Sequence, residues 1–267
     1  MVRRPLGNHH HGPDTLLVTS DTTHSAPVAA RAAQTAPGPD GLRELVAPAR
    51  VVLWDFDGPI CRLFAGHSAE RVASDLVEWL EGRGLHGLLT DTERASLDPQ
   101  VVLRAVNRRH PGSDLVTELE ERLTQEELRA SVSAMPTAYA DPLIRTWTAV
   151  GSRMAIATNN SPRVARTYLE SRGLEGCFRP HVYGRTQQLH HLKPDPYCLS
   201  RALNAMGAAP AAALMIGDAP TDHQAAQRAG VPFLGFAHDE RKAALLRRAG
   251  AVTVVTSLEP LLRVVRG

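Results

Sequence analysis

The chain has 267 residues, 43% of them hydrophobic, and a formal net charge of +2, enough for one core plus a smaller domain. No apolar run approaches the length of a membrane span, and an aromatic content of 4% without a basic cluster interleaved with aromatics argues against a nucleic-acid surface. Three widely spaced cysteines, Cys61, Cys177 and Cys198, support neither a disulfide framework nor a zinc site and suit a cytoplasmic protein with reduced thiols.

Residues 1–48 are rich in Ala, Pro, Thr and His with little periodicity, and read as a disordered tail. Arg3-Arg4 is not followed by the apolar stretch of an export signal, and His9-His10-His11 is read as an incidental run. Arg50 to Trp54 reads as a buried strand that ends in Asp55-Phe56-Asp57-Gly58. Alternate residues of an extended segment share a face, so Asp55 and Asp57 can address one site. Two crowded carboxylates call for a cation or a shared proton, and hard oxygen ligands at a strand end suit Mg²⁺.

From about Ala65 to Val150 the pattern is helical. Val72, Leu76, Trp79 and Leu80 share a face; further stripes run through Val101, Val102, Ala105 and Val106, through Leu115, Leu119 and Leu123, and through Leu143, Ile144 and Trp147. This predicts four or five helices inserted after the first strand, with no strand among them. Residues 62–150 carry 10 Arg against 14 carboxylates, whereas residues 151–267 carry 15 Lys and Arg against 8. A basic C-terminal half can attract a phosphorylated substrate.

After residue 150 strands and helices alternate. Strands are predicted at Arg153–Ala157, His181–Tyr183, Ala212–Ile216, Phe233–Gly235 and Val252–Val255. Helices are predicted at Pro162–Ser171, Pro196–Met206, Pro220–Ala229 and Glu240–Ala249, with a last one running to about Val265. Continuous apolar strands alternating with helices argue an α/β fold, a Rossmann-like doubly wound parallel sheet that binds ligands beyond its strand ends.

Three polar signals fall at those ends. Thr158-Asn159-Asn160-Ser161 precedes a helix whose N-terminus suits an anion, with Ser161 as N-cap and Pro162 at the first helical position. Lys193 stands out because the chain holds 28 Arg and only two Lys, so a retained lysine marks a need for a compact point charge. The other, Lys242, falls on an exposed-looking helix face and is given no role. In Gly217-Asp218-Ala219-Pro220-Thr221-Asp222, Asp218 lies at a strand tip and Asp222 in the first turn of a helix.

In this order, Asp55-Phe56-Asp57-Gly58, Thr158, Lys193-Pro194 and Gly217-Asp218 with Asp222, the chain resembles the haloacid dehalogenase-like superfamily over about residues 50–267. The resemblance implies a core at 49–64 and 151–267 and an alpha-helical cap at 65–150. It implies a phosphatase of the phosphoglycolate phosphatase type, with Asp55 as nucleophile and Asp57 as general acid and base. Mg²⁺ would be held by Asp55, the Asp57 backbone carbonyl and Asp218; phosphate by Thr158, Asn159, Gly58 and Lys193; and Asp222 would support the site. The implied partner is a small phosphorylated metabolite, acted on by a monomer or homodimer. Arg62, Arg108 and Arg109 are candidates for substrate contact, although solvated helix charges account for them equally well. Other outcomes within the fold are a phosphomutase, a phosphonate hydrolase or a non-catalytic phospho-ligand-binding protein. One departure is Pro59, where the family usually has Thr; it removes a hydroxyl and an N–H beside the nucleophile and predicts an altered flap after the strand.

Overall fold

The computed structural model describes residues 38–267. In chain order the strands are β1 (Val51–Trp54), β2 (Cys61–Arg62), β3 (Met135–Pro136), β4 (Arg153–Ala157), β5 (Val182–Tyr183), β6 (Ala213–Gly217), β7 (Phe233–Phe236) and β8 (Val254–Val255). The helices are α1 (Pro39–Val46), α2 (Ala69–Glu81), α3 (Asp91–Arg94), α4 (Pro99–Arg109), α5 (Asp114–Val132), α6 (Ala140–Ala149), α7 (Pro162–Ser171), α8 (Glu175–Phe178), α9 (Tyr197–Met206), α10 (Pro220–Ala229), α11 (Glu240–Arg248) and α12 (Glu259–Arg266).

Six strands form one parallel sheet in the order β5-β4-β1-β6-β7-β8. Successive strand residues face opposite sides, and both sides are apolar. Val52, Trp54, Met154, Ile156 and Ile216 pack on one side with Trp147, Tyr168 and Leu261 from α6, α7 and α12. Val51, Leu53, Ala155 and Met215 face the other side, against Leu199 and Leu203 of α9 and Ala225 of α10. Cover on both faces explains why these strands read as unbroken apolar runs. β1 lies inside the sheet between β4 and β6, so the loops after all three converge at one rim.

Between β1 and β4 the chain makes a helical insertion. The apolar faces of α2, α4 and α5 form their own cluster around Val72, Leu76, Val102, Val106, Leu119 and Leu123. Each helix is started by a side chain that accepts an otherwise unpaired N–H: Ser68, Asp98 and Ser113. The insertion departs and returns through the antiparallel pair β2–β3, too short to show in the hydrophobic pattern. Leu189 and Leu192, between β5 and α9, join the insertion's cluster and seat it beside the strand tips.

Three expectations are corrected, the first being that no strand lies within 65–150, where β3 is found. Pro39–Val46, assigned to a disordered tail, is a helix whose Leu42 is buried in the sheet's first cluster. The helix α6, grouped with the insertion, packs instead on the sheet: the Trp147 and Trp54 rings meet edge to face with centroids 5.6 Å apart. Spacing identified the helix, but periodicity does not say which core a helix joins. Residues 1–37, with Arg3-Arg4 and His9-His10-His11, lie outside the described residues. Among the described residues, no helix is long and apolar enough to cross a membrane, and the three cysteines are free thiols.

Candidate active site

The ladder between β1 and β6 extends one residue past β1: the Asp55 N–H donates to Ile216 O at 2.8 Å. This fixes Asp55 at the floor of a cleft of about 750 Å³. Asp57, Gly58, Lys193, Asp218 and Asp222 line the same cleft, and α4 of the insertion contributes Gln100 and Arg104.

Lys193 is buried, with its Nζ 2.6 Å from Asp222 Oδ1 and 2.9 Å from Asp55 Oδ1. The same ammonium donates to Ala157 O at 2.8 Å. Burial alone would favour neutral lysine, but the Asp222 and Asp55 charges outweigh it and hold the proton above the usual lysine range. Asn159 grips the backbone of Lys193 at two points: its Oδ1 accepts the Lys193 N–H at 2.8 Å and its Nδ2 donates to Lys193 O at 3.2 Å. Arg104 donates to that same carbonyl at 2.8 Å, tying the insertion to the lysine loop.

Asp222 is equally committed. Its Oδ2 accepts the N–H groups of Asp218 and Ala219, both at 3.0 Å, which closes the start of α10 and leaves Oδ1 for Lys193. Gly58 has φ +110°, and a Cβ there would overlap the Asp218 carboxylate; glycine is required at this point for both reasons. Pro59 lies in a turn that the Ile60 and Cys61 N–H groups close on Phe56 O at 3.3 Å, so its missing donor leaves the turn intact. A hydroxyl reaches this flap from elsewhere: Thr137 donates to Gly58 O at 2.6 Å.

The sequence-predicted phosphate donors are mostly engaged within their own loops. The Thr158 hydroxyl donates to Asn160 Oδ1 at 3.0 Å and accepts the Asn160 N–H at 3.1 Å; Thr158 is buried. The Gly58 N–H donates to Cys61 O at 2.6 Å, and the Asn159 carboxamide holds Lys193. Ser161 occupies the N-cap position of α7 with Pro162 at N1, but its side chain makes no capping bond; its N–H goes to Glu127 Oε2 at 3.0 Å.

Burial pushes the carboxyls of this rim upward. Asp57 rises to about 6, with the Leu63 N–H at 2.8 Å from its Oδ1 opposing burial and the Asp55 charge adding to it. Asp55 is raised first by burial and then by Asp222. Asp218 is also raised first by burial, against the pull of Lys242. Oxygens of Asp55, Asp218 and Asp222 lie within 4.8 Å of one another. A close cluster of buried carboxylate oxygens fits a hard divalent cation such as Mg²⁺. With Asp222 occupied by two N–H groups and Lys193, the donors left are the Asp55 and Asp218 oxygens not paired with Lys193 and Lys242; the Asp57 carboxylate is turned toward Leu63 and leaves its backbone for this role.

Several functional-looking residues escaped the sequence reading. Lys242, placed on an exposed face, lines the cleft and pairs with Asp218 Oδ2. Arg185 is fully buried among Glu120, Thr124 and Glu127 of α5, at 2.8 Å from both carboxylates. Glu127 in turn accepts from Asn160 Nδ2 at 3.0 Å. Polar residues at positions 120, 124 and 127, in register with the buried Leu119 and Leu123, were the available signal. Arg62 lines the cleft, whereas Arg108 and Arg109 pair with Glu93 at 2.5 and 2.8 Å.

The family model for haloacid dehalogenase-like hydrolases matches residues 49–230, more than half of the chain. The chain belongs to that family. It is accordingly a hydrolase, and the sheet and the rim just described are the family member's core. Among its relatives, a phosphoglycolate phosphatase of Rhodospirillum rubrum is 40% identical over 103 residues, a match spanning 39% of this chain and 41% of that protein. A plasmid-encoded phosphoglycolate phosphatase of Cupriavidus necator is 29% identical over 230 residues, 80% of this chain and 92% of that one. The fold is shared with the crystal structure of a predicted phosphoglycolate phosphatase from Haemophilus somnus, with a TM-score of 0.60 at 14% identity, covering 81% and 98% of the two chains.

Proposed function

We propose that this hydrolase is a Mg²⁺-dependent phosphatase that cleaves a small phosphomonoester through an aspartyl-phosphate. The observation that carries the reading is the convergence of Asp55, Lys193, Asp218 and Asp222, from three separate stretches of chain, on one cleft. Asp55 and Asp218, with the Asp57 backbone, would hold Mg²⁺, which supplies charge screening between the nucleophile and the phosphate.

Asp55 forms the new bond to phosphorus as the bond from phosphorus to the leaving oxygen breaks. Asp57, raised to about 6, gives its proton to that oxygen. The carboxylate then takes a proton from water as the water attacks phosphorus, the Asp55–phosphorus bond breaks and phosphate leaves. Lys193, permanently charged, neutralises phosphate oxygens and keeps Asp55 aimed. Thr158 completes the phosphate site, where its hydroxyl can exchange Asn160 for a phosphate oxygen, while Asn159 holds the Lys193 backbone in place. The helical insertion serves as a cap that sheds water over the substrate, and the free thiols suit the cytoplasm.

Phosphoglycolate is the first substrate to try, because relatives over most of this length are named for it. Purified protein is expected to release phosphate from it, or from another member of a phosphorylated metabolite panel, only with Mg²⁺ present. Asp55→Asn is expected to abolish release. Turnover surviving in Asp55→Asn, or release indifferent to Mg²⁺, would overturn the reading.

A further inference from the structure

We propose that Lys242 is a tethered counter-ion for Asp218 that competes with the divalent cation for that carboxylate, so that the affinity of the site for Mg²⁺ is set by a side chain outside the ligand set. This rests on the metal-site reading given above. The chain uses Arg for 28 of its 30 Lys and Arg positions, and both lysines come to this one cleft. They are held in different ways. Lys193 is 1% exposed and fixed by three oxygens. Lys242 has one carboxylate partner, Asp218 Oδ2, and its side chain is 30% exposed, so it can withdraw into water.

Local structure aims Lys242 at the rim. Asp239 begins α11 and accepts the Lys242 N–H at 2.7 Å, which places the residue in the first turn of a helix that follows β7. From there the four-carbon stem reaches the tip of β6. Beyond Asp218, the carboxylates facing this ammonium are Asp57 and Asp55. A cation entering between Asp55 and Asp218 meets the ammonium on the same carboxylate, and two positive charges on one oxygen pair repel. Entry therefore requires the lysine to leave. An arginine here would present a broad planar fork with several donors; a lysine gives a single small charge that releases cleanly.

The test is Mg²⁺ binding to the full chain, measured by titration calorimetry without any phosphate compound, at the same mildly alkaline pH for every variant. Lys242→Met and Lys242→Gln are expected to bind Mg²⁺ about tenfold more tightly than the parent, the effect of removing one partly screened charge. Lys242→Arg, which keeps the charge and adds donors, is expected to bind Mg²⁺ no more tightly than the parent. Circular dichroism identifies any variant that fails to fold, and either neutral variant suffices. Equal affinity in the parent and the folded neutral variants would overturn this inference alone. Absence of Mg²⁺ binding in all of them would overturn it together with the metal-site reading.

Discussion

The Arg185 guanidinium and the Glu127 carboxylate form a two-pronged ion pair inside the protein, at 2.8 and 3.0 Å, with 0% and 1% of their side chains exposed. The pair joins the segment after β5 to the last helix of the insertion, and Glu127 carries the contact on to Asn160 and Ser161. Removing one partner strands the other charge away from water. Arg185→Met is therefore expected to lower unfolding free energy by about 3–5 kcal/mol. The double variant Arg185→Met/Glu127→Met should be less destabilised than the sum of the two single changes, as read from urea denaturation in a double-mutant cycle.

Asn159 positions Lys193 rather than touching substrate, by the two bonds its carboxamide makes to the lysine backbone. Asn159→Ala should lower kcat by about 100-fold, the scale expected when a charged group drifts by about 1 Å. KM should change much less. A parallel rise in KM with kcat preserved would show Asn159 to be a binding group instead.

Asp57 is the clearest source of pH dependence. Its folded pKa, about 6, lies above the ordinary carboxyl value of 3.8, so the folded state holds the proton more tightly than the unfolded chain. Its contribution to stability is complete below the unfolded value and is lost as pH rises through about 6. In EDTA the urea midpoint of the parent should fall between about pH 4 and pH 7 more steeply than that of Asp57→Asn. Adding Mg²⁺ should raise the parent's melting temperature more above this range than below it, because the cation binds the ionised rim.

Gly58→Ala combines a positive φ with overlap of the Asp218 carboxylate. The backbone penalty alone is about 1–2 kcal/mol. The displaced Asp218 should weaken Mg²⁺ binding beyond detection in a calorimetric titration that the parent passes. Unchanged Mg²⁺ affinity in a folded Gly58→Ala protein would separate Asp218 from the metal.

Much of this was legible in the sequence because the sheet is buried on both faces. Unbroken apolar runs put β1, β4 and β6 within a residue of their observed bounds, and the polar residues after each run then had to lie at one rim. Lysine scarcity singled out Lys193. The same argument applied to Lys242 would have found it, but an exposed-looking helix pattern was given more weight than the residue's place in the first turn. Arg185 and Glu127 were out of reach because their partners lie 58 residues apart and each looks, alone, like a solvated surface charge. The helix α1 was lost in the low-complexity composition around it, although Leu42, Leu45 and Val46 carry its apolar face.

The short ladder of Cys61 and Arg62 with Pro136 and Met135 brings the two ends of a 72-residue excursion side by side. Topologically the insertion is a decoration on a hairpin, and no strand crossing depends on its contents. Lengthening such a loop adds closure entropy only logarithmically. Helices can thus be traded, trimmed or replaced at this one junction without redrawing the sheet beneath.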